Sequence, residues 1–513
     1  MDTDVIVVGA GPAGLMLANE LVLAGLTPVV LERHPEPTGE SRALNLHPRT
    51  AEILDSRGML EPLLAHRLDL RLLTNSFFGG LPVPLDCTAM RSRYPNQTGV
   101  LQARVEEMLE RRLASTGVAV RRGCELVDLA ADSDGVTATV EDAGGRHAIT
   151  ARYLVACDGA RSRIRRILGV AFPGTDGGPH LRVAADVVLV RPSDDWFTAI
   201  PDGGDAEVRF IPKVGLTGEV SLEEGAKRTH FSLVSLENDV HRLMFSDMGR
   251  RVDRDEPVTE DEVRAVLVAA AGGSLELKEL LWGSRFGDAC RQAEQYRVGR
   301  VLLAGDAAHI VFPIGGQGMN LGLQDAFNLG WKLASVVKGT APDDLLDTYH
   351  DERHPVAQEV LRAATAQALL LDRERDVEAM REILTSLLRL PETNHHLAGM
   401  ISGLGIRYPI PGEHPLTGLR MPDEDLTTRA GARTSISELL HPGRGLLVEF
   451  DGQDTRARVA GWADRVDHVS ATGQGDAAAI LVRPDGYVCW AGQPTEDDGL
   501  HAALTRWFGP RNT

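Results

Sequence analysis

The residues best placed to do chemistry lie in the last two thirds of the chain, where three kinds of ligand-binding group follow one another. A short apolar run, Val301–Ala304, predicts a buried strand that ends at Gly305-Asp306, which puts a carboxylate at the carboxyl end of a strand. Pro313–Gly318 then bares the backbone at three glycines, and a helix predicted over Met319–Ala334 points its unpaired N–H groups at that loop. Such groups suit a ligand with hydroxyls and an electron-rich ring that gains negative charge on reduction.

The beginning of the chain favours ligand binding over the alternative of an ordinary strand–loop–helix crossover. Asp4–Val8 has the composition of a strand, and Gly9-Ala-Gly11-Pro-Ala-Gly14 leads from it directly into a helix. In this strand–GxGxxG–helix unit the glycines allow a tight turn and the close approach of a pyrophosphate. Glu32 lies 18 residues after Gly14, where an acid binds a ribose diol. A single FAD that extends from this motif to Pro313–Asn320 accounts for both stretches.

Four motifs in this order resemble those of the class A flavoprotein monooxygenases, the family of aromatic-ring hydroxylases, and most of all its branch acting on large polyketide-type aromatics. They are GAGPAG with Glu32, Ser41-Arg42, Asp158-Gly159, and Gly305-Asp306 through Asn320. The resemblance implies cofactor-binding roles for Gly9, Gly11, Pro12, Ala13, Gly14, Glu32, Arg33, Arg42, Gln102, Asp158, Gly305, Asp306, Pro313, Gly316, Gly318, Met319 and Asn320. It also implies backbone and loop roles in catalysis for Pro313, Gly315 and Gly316.

The resemblance implies an activity as well. Members of this family reduce FAD with NADPH or NADH, bind O₂ at the C4a carbon of the reduced ring and transfer the distal oxygen to an electron-rich arene. We therefore expect hydroxylation of a large polycyclic aromatic through a flavin C4a-hydroperoxide, with Phe77, Arg209, Phe210 and Ile314 as substrate contacts. Baeyer–Villiger oxygenation, inactivation of an aromatic antibiotic, and a flavin-binding carrier without oxygenation are the alternatives.

Several motif residues also have ordinary structural interpretations. Asp158 suits a helix N-cap, and both roles are compatible. The basic run Arg161–Arg166 is either a solvated face or a binding site for the NADPH phosphate. Arg49 is expected on the solvated face of the helix that begins at Pro48. His309, His350 and His354 have no metal-ligand spacing, so structural histidines and no metal site are expected.

Composition limits the partners and the compartment. The formal charge of −19, from 54 basic and 73 acidic residues, argues against nucleic acid or an anionic membrane as a partner. No apolar run approaches the ~20 residues of a membrane span. Five scattered cysteines and an N-terminus that enters a strand directly predict a cytoplasmic protein. An aromatic small molecule is the expected partner, with a homodimer as an option.

The fold class expected is α/β, with a Rossmann-type FAD-binding domain, an antiparallel-sheet substrate domain and a thioredoxin-like C-terminal domain. The chain of 513 residues is too long for one core. Residues 1–180 and 281–400 are predicted to form the FAD-binding domain with scaffold helices, and 71–97 to border the substrate pocket. The two-residue alternation in 181–280 predicts the substrate domain. The pattern RPDGYVCWAG marks the domain predicted over 401–513, where Cys489 stands without a partner for a redox dithiol.

Overall fold

The structure is a computed structural model, and two compact units make it up. It describes residues 1–68, 76–177, 181–190, 207–211, 215–220, 229–246, 253–271, 275–371, 376–450, 456–472, 476–493 and 497–512, with the backbone alone for 207–211, 215–220, 229–230 and 497–498. The first unit comprises Met1–His66, Ser76–Pro173 and Arg291–Thr513, and the second comprises Arg67–Asn75 and Gly174–Cys290.

The helices of the described residues are spread over both units. They are α1 (Pro12–Leu23), α2 (Pro48–Asp55), α3 (Leu60–Leu64), α4 (Gln102–Ser115), α5 (Arg163–Ile167), α6 (Glu260–Ala271), α7 (Gln317–Val337), α8 (Asp347–Leu370), α9 (Glu378–Leu388), α10 (Pro391–Ser402), α11 (Ile436–Leu439), α12 (Arg456–Val459) and α13 (Asp497–Phe508). Short 3₁₀ turns occupy Thr88–Met90, Gly305–Ala307, Ile314–Gly316, Asp343–Leu346 and Ala460–Trp462.

The strands form several separate sheets. In chain order they are β1 (Thr3–Val8), β2 (Pro28–Glu32), β3 (Asn45–Leu46), β4 (Ser76–Phe77), β5 (Pro84–Leu85), β6 (Thr98–Gly99), β7 (Val120–Arg122), β8 (Glu125–Ala131), β9 (Val136–Asp142), β10 (Gly145–Ala156), β11 (Gly174–Thr175), β12 (Arg182–Leu189), β13 (Glu207–Ile211), β14 (Gly215–Val220), β15 (Thr229–Ser235), β16 (Val240–Ser246), β17 (Leu277–Phe286), β18 (Cys290–Gln292), β19 (Arg297–Val298), β20 (Val301–Leu303), β21 (His309–Ile310), β22 (Asp425–Thr428), β23 (Arg433–Ser435), β24 (Gly445–Glu449), β25 (Val466–Thr472), β26 (Ala479–Val482) and β27 (Val488–Gly492).

The main sheet of the first unit is the one that positions the candidate site. Its order is β19-β20-β10-β1-β2-β7, and β20, β10, β1, β2 and β7 run parallel to one another. The central strand β1 is apolar throughout Val5–Val8 and almost fully buried, as expected for a parallel strand covered on both faces. Helix α1 returns from β1 to β2 and packs on α7, where Gly330 lets the two helices approach at Glu20.

The C-terminal segment carries a second sheet in the same unit, with the order β23-β22-β25-β24-β26-β27. β24 pairs in parallel with β25 and antiparallel with β26, which in turn pairs antiparallel with β27. This βαβ-ββα arrangement, closed by α13, is the thioredoxin-like pattern that the sequence predicted. Cys489 is a buried free thiol.

A buried ionic network joins that sheet to α7 and α8. Nη1 of Arg483 donates to Oε1 of Glu352 at 2.6 Å, and Nζ of Lys332 donates to Oε2 of the same carboxylate at 2.8 Å. Although burial alone would raise the pKa of Glu352, these two cations lower it to about 2. Removing one member of such a network leaves an unpaired buried charge, so the network ties the C-terminal sheet to the helices beneath the candidate site.

The expectation for Arg49 is wrong, because the C-terminal segment covers this face of α2. Arg49 is only 4% exposed, and its guanidinium donates to Oε2 of Glu52 at 3.0 Å and to the carbonyl of Asp485 at 2.9 Å. The neighbouring Arg57 is likewise buried and donates to the carbonyl of Leu440 at 2.8 Å. A polar residue at a helix start carries no local signal that a distant segment will cover it.

The second unit is a six-stranded antiparallel sheet, β13-β14-β15-β16-β12-β17, which confirms the predicted sheet in this part of the chain. Helix α6 packs on it through Val263, Val266 and Leu267, against an apolar core that includes Val183 and Phe231. In the described ranges, no helix has both the length and the apolar composition that are needed to cross a bilayer.

Candidate functional site

The candidate site lies where four neighbouring parallel strands end at one edge of the main sheet. Val8 of β1 is in register with Ala156 of β10 and with Leu31 of β2, and Ala156 is in register with Leu303 of β20. The segments that follow these strands therefore emerge side by side. In open α/β sheets, ligands bind outside the carboxyl ends of the strands.

The glycine turn, Gly9–Gly14, shows close packing on one side and open space on the other. A Cβ on Gly9, whose φ is +106°, would overlap the carbonyl oxygen of Cys157, and one on Gly14 would overlap the carbonyl oxygen of Gly9. By contrast, no described atom lies within 4 Å of a Cβ on Gly11. Helix α1 begins at Pro12 with no side-chain cap among the described residues, so the N–H groups of its first turn are available to a phosphate.

Glu32 ends β2 with its carboxylate held in place. Its Oε2 accepts the N–H of Ala10 at 2.9 Å, and its Oε1 accepts the N–H of His34 at 2.9 Å. Because each carboxylate oxygen has two lone pairs, both retain capacity for the hydroxyls of a ribose. The adjacent Arg33 is exposed.

Asp158, after β10, accepts hydrogen bonds from the first turn of α5, although the N-cap of that helix is Ser162 and not Asp158, and it keeps one oxygen unused. Its Oδ2 accepts the N–H groups of Arg163 and Ile164 at 2.8 and 3.2 Å, at the start of α5. Its Oδ1 is buried and has no hydrogen-bond partner in the described part of the chain. A buried carboxylate oxygen without a donor is costly, which indicates that a ligand hydroxyl or a water satisfies it.

In the basic run after Asp158, Arg165 is buried, whereas Arg161, Arg163 and Arg166 are exposed. Arg165 is buried, and its guanidinium donates to the carbonyl of Ala307 at 2.8 Å and lies over the ring of Phe172 at 3.6 Å. Arg163 pairs with Glu125 at 2.9 Å. These contacts favour a scaffold role for Arg165 over phosphate binding.

Asp306 follows β20 and faces the open side of the sheet edge. Gly305 turns the chain with a φ of +60°, and a Cβ there would lie 3.0 Å from the Cβ of Ala13 in α1. The Asp306 side chain is exposed to solvent on one side. Burial against the protein on its other side raises the pKa of its carboxyl, and His309 and Arg42 partly offset this rise. Arg42 therefore contributes positive charge in the neighbourhood of the Asp306 carboxyl.

The glycine loop, Pro313–Gly318, is held by side chains from far upstream. Gly315 and Gly316 both adopt the left-handed conformation, with φ of 70° and 71°. Nε2–H of His47 donates to the carbonyl of Gly315 at 2.7 Å, and Nδ2 of Asn320 donates to the carbonyl of Gly316 at 2.8 Å. Oδ1 of Asn320 accepts the N–H of His47 at 2.8 Å, which closes the clamp.

The buried ring of His47 stays neutral at neutral pH. Burial lowers the pKa of His47 to about 4, although the carbonyls of Gly315 and Ile401 favour the charged ring. With both glycine carbonyls turned towards the clamp, helix α7 begins at Gln317 with its first N–H groups unpaired within the helix. These groups point at the loop and can stabilise negative charge on a bound ring.

A buried triad supports the segment behind the loop. Asp325, on α7, accepts the N–H of Gly305 at 3.2 Å, Nε2–H of His309 at 2.6 Å and Nε–H of Arg353 at 2.8 Å. Burial alone would raise the pKa of Asp325, but His309 and Arg353 lower it, so the group is a carboxylate.

Within the described ranges, no cluster of His, Cys, Asp or Glu could hold a metal ion.

The structure brings most of the predicted residues together. Gln102 begins α4, accepts the N–H of Ala43 at 3.2 Å with its side chain, and so holds the segment that carries Arg42. Pro313 is exposed, and Ile314, Gly318 and Met319 are half-buried around the glycine loop. Phe77 is 41% exposed on β4. Arg209 and Phe210 lie on β13, and their side chains fall outside the described residues.

Sequence reasoning missed His47, Asn45, Asp325 and Arg353. None of them belongs to a motif used in the prediction, and each acts through a partner that is distant in the sequence. The segment 41–50 contains Asn45 and His47, and one amide and one imidazole in ten residues give no local signal of their role.

The residues fit FAD. An open turn at a helix N-terminus suits the pyrophosphate, Glu32 suits a ribose, the unused Asp158 oxygen and Asp306 suit further hydroxyls, and the glycine loop suits a flat ring. The ends of β1, β10 and β20 lie side by side between the glycine turn and the glycine loop, so one extended dinucleotide can run along this edge of the sheet from the turn to the loop.

Comparison with known proteins gives the same result. A family model described as "FAD binding domain" matches residues 2–364, and one described as "Aromatic-ring hydroxylase, C-terminal" matches residues 414–510. The 12-dehydrotetracycline 5-monooxygenase/anhydrotetracycline 6-monooxygenase of Streptomyces rimosus subsp. rimosus is 45% identical over 99% of both chains. A rifampicin monooxygenase of Streptomyces venezuelae is 41% identical over 99% of this chain and 98% of its own. The solved structure of the OxyS anhydrotetracycline hydroxylase from Streptomyces rimosus is 44% identical, covers 100% of both chains and superposes with a TM-score of 0.86.

Proposed function

The chain belongs to the FAD-dependent aromatic-ring hydroxylases and is a flavoprotein monooxygenase, and from this membership we propose that it hydroxylates a large polycyclic aromatic of the polyketide type. NADPH or NADH is the proposed electron donor and O₂ the oxygen source. The balanced reaction is ArH + O₂ + NAD(P)H + H⁺ → ArOH + NAD(P)⁺ + H₂O. Two relatives that act on tetracycline intermediates and on rifampicin support a polycyclic substrate.

Bound FAD supplies the electron transfer and the activation of O₂, so no side-chain nucleophile is required. The protein's task is to bind and orient. We assign the glycine turn and the first turn of α1 to the pyrophosphate, because Gly11 leaves open space over unpaired N–H groups. Glu32, whose two oxygens are fixed by Ala10 and His34, is assigned to the adenosine ribose.

At the other end, the glycine loop is assigned to the ring. Gly315 and Gly316 present backbone with no side chain, and the His47–Asn320 clamp fixes their carbonyls away from the first N–H groups of α7. Those N–H groups stabilise the negative charge that the ring gains on reduction. Asp306 and the unused oxygen of Asp158 are assigned to hydroxyls between the two ends.

The observation that carries the proposal is the alignment of both bare-backbone sites at one sheet edge. A dinucleotide fingerprint alone does not distinguish a dehydrogenase from an oxygenase. The second site, with two left-handed glycines in front of a 21-residue helix, adds a place for a flat ring, which supports FAD, and the family membership supports oxygen transfer.

The test uses the FAD-loaded protein with NADPH, and separately NADH, in the presence and absence of anhydrotetracycline. We expect the ligand to accelerate NAD(P)H oxidation and to gain 16 mass units, with product formed in proportion to the nicotinamide consumed. Nicotinamide consumption with H₂O₂ as the sole product, for every polycyclic phenol and ketone tested, contradicts oxygen transfer. A product with oxygen inserted beside a carbonyl assigns the Baeyer–Villiger alternative.

Antibiotic inactivation is the second candidate, and the rifampicin monooxygenase relative favours it. The same assay with rifampicin, followed by growth inhibition by the recovered product, distinguishes the two. Loss of antibacterial activity together with oxygen transfer supports inactivation, and an unmodified rifampicin argues for a biosynthetic substrate.

We also propose a cytoplasmic location and the domain division 1–180 with 281–400, 181–280 and 401–513. The five cysteines are all free, which suits a reducing compartment. The negative charge of −19 suits neither nucleic acid nor an anionic surface. Size-exclusion chromatography with light scattering decides between a monomer and a homodimer.

A further inference from the structure

A chain of buried amides leads away from the glycine loop to a serine that is not part of any motif. The side-chain amide of Asn45 packs directly on Gly316, so a Cβ added to Gly316 would overlap Oδ1 of Asn45. Nδ2 of Asn45 donates to Oε1 of Gln97 at 2.5 Å, and Nε2 of Gln97 donates to Oγ of Ser76 at 2.7 Å. Four residues from four separate segments, Gly316, Asn45, Gln97 and Ser76, are thereby connected.

The hydrogen bonds in this series of side chains all run in one direction, from Asn45 to Ser76. Asn45 and Gln97 are 5% and 7% exposed, so their amides have no competing water, and each donates towards Ser76. Because Oγ of Ser76 already accepts a hydrogen bond, its own hydrogen is left for another acceptor. Among the described residues, no acceptor engages that hydroxyl. Successive donors polarise the last one, so Ser76 is a strengthened donor.

Ser76 lies at the start of a segment of the first unit. It is the residue at which the chain returns to this unit after Arg67–Asn75, and it is half-buried. Ser76 therefore presents a hydroxyl hydrogen, connected through Gln97 and Asn45 to the glycine loop, to a molecule that carries an acceptor oxygen.

We propose that the Ser76 hydroxyl binds a phenolic or enolic oxygen of the aromatic substrate and favours its ionised form, with Gln97 and Asn45 as positioning residues. The inference rests on the proposed function, because it names a substrate contact of the same site. A hydrogen bond from a polarised donor is strongest to an oxyanion. Ionisation of a phenol makes its ring more electron-rich, which is the property that oxygen transfer to an arene requires. The phenol's proton leaves to solvent.

The test compares two ligands with the same three-ring skeleton on the FAD-loaded protein: 1,8-dihydroxyanthraquinone, which can ionise, and 1,8-dimethoxyanthraquinone, which cannot. Binding is followed by the change in ligand absorbance. Ser76→Ala is expected to weaken the dihydroxy ligand about tenfold and the dimethoxy ligand less than about twofold. The apparent pKa of the bound phenol is expected to rise by about one unit in Ser76→Ala.

Two further variants make the comparison sharp. Ser76→Cys keeps the shape with a weaker donor, so an intermediate loss of about threefold is expected for the dihydroxy ligand. Ser92→Ala is the matched control, because Ser92 is half-buried in the same unit and, among the described residues, its Oγ accepts the N–H of Tyr94 alone. Its two ligand affinities are expected to match those of the unaltered protein.

Equal weakening of both ligands, or of neither, by Ser76→Ala overturns the inference. If Ser76→Ala lowers the FAD content, the Ser76→Cys variant is used instead. The inference is then overturned if the ratio of the affinities for the dihydroxy and dimethoxy ligands is the same in Ser76→Cys as in the unaltered protein. The failure of the proposed function has a different signature. In that case the unaltered protein hydroxylates no ligand, while the contrast between the two ligands at Ser76 is still measured.

Discussion

The glycine turn and the glycine loop both bring bare backbone to a helix N-terminus, but they are held in opposite ways. The turn needs the absence of side chains, because a Cβ on Gly9 or Gly14 would overlap a backbone carbonyl. The loop needs the presence of particular side chains, because His47 and Asn320 bind the carbonyls of Gly315 and Gly316. A site defined by missing atoms appears in the sequence as a motif, whereas a site held by distant donors does not.

The largest effect is expected beneath the loop, where Asp325 joins three segments. Asp325→Ala leaves the fully buried Arg353 without its carboxylate, so we expect the free energy of unfolding to fall by about 3–5 kcal/mol. Chemical denaturation followed by circular dichroism measures it. Asp344→Ala, at an exposed position, is the control, with a change below about 0.5 kcal/mol. If Asp325→Ala and Asp344→Ala lower the free energy of unfolding equally, the triad does not support the segment behind the loop.

The turn offers a matched pair of glycines. Gly9→Ala places a Cβ against the Cys157 carbonyl at a φ of +106°, so the free energy of unfolding is expected to fall by about 2–4 kcal/mol. Gly11→Ala meets no described atom, so the FAD-free protein is expected to stay within about 0.5 kcal/mol of the original. Its affinity for FAD, measured by fluorescence quenching, is expected to fall at least about tenfold because the methyl group enters the pyrophosphate space. A Gly11→Ala protein with unaltered FAD affinity contradicts the assignment.

Breaking the clamp sharpens the contrast at the loop. His47→Leu leaves the Gly315 carbonyl without its donor, which is expected to cost about 1–3 kcal/mol of stability and to weaken FAD binding. His441→Leu is the control, since His441 also donates to a backbone carbonyl, that of Asp55 at 3.0 Å, outside the loop. We expect it to reduce stability without changing FAD affinity or the flavin absorption spectrum. Identical FAD affinities in the two variants would show that the clamp does not position the loop.

The smallest effect expected is a pH dependence of the same clamp. The folded-state pKa of His47 is lowered to about 4 from an ordinary value of 6.5, so below pH 6.5 the unfolded chain binds a proton that the folded chain does not. Its contribution to stability is complete above pH 6.5 and is lost as the pH falls towards 4, by about 1 kcal/mol between pH 7.5 and 5.5. His47→Leu is expected to lack this part of the slope in denaturation at the two pH values. Parallel slopes would contradict a buried neutral ring.

Local patterns were sufficient for the fold class and for much of the candidate site. The strand–glycine–helix unit with Glu32, the strand ending at Asp306 and the alternation of the antiparallel sheet all depend on neighbouring residues, and the structure has each of them. The contact of Asp158 with the start of α5 could be foreseen for the same reason, since its partners, Arg163 and Ile164, follow within six residues, although the N-cap itself is Ser162.

What could not be predicted depends on segments that meet only in the folded chain. Arg49 looked solvated because Asp485, which buries it, is 436 residues away. His47 looked like a loop residue because its acceptor, Gly315, is 268 residues away. In both cases the residue type is compatible with exposure and with burial, and tertiary packing alone decides.

Oxygen transfer to an aromatic substrate is the central claim, and isotope labelling tests it most directly. The FAD-loaded protein is incubated with NADPH, anhydrotetracycline and ¹⁸O₂ in ordinary water, and the product is analysed by mass spectrometry. One ¹⁸O atom per product molecule is the predicted result, with no label from H₂¹⁸O when ordinary O₂ is used. A product whose new oxygen comes from water, or complete recovery of the ¹⁸O as hydrogen peroxide, would contradict the account.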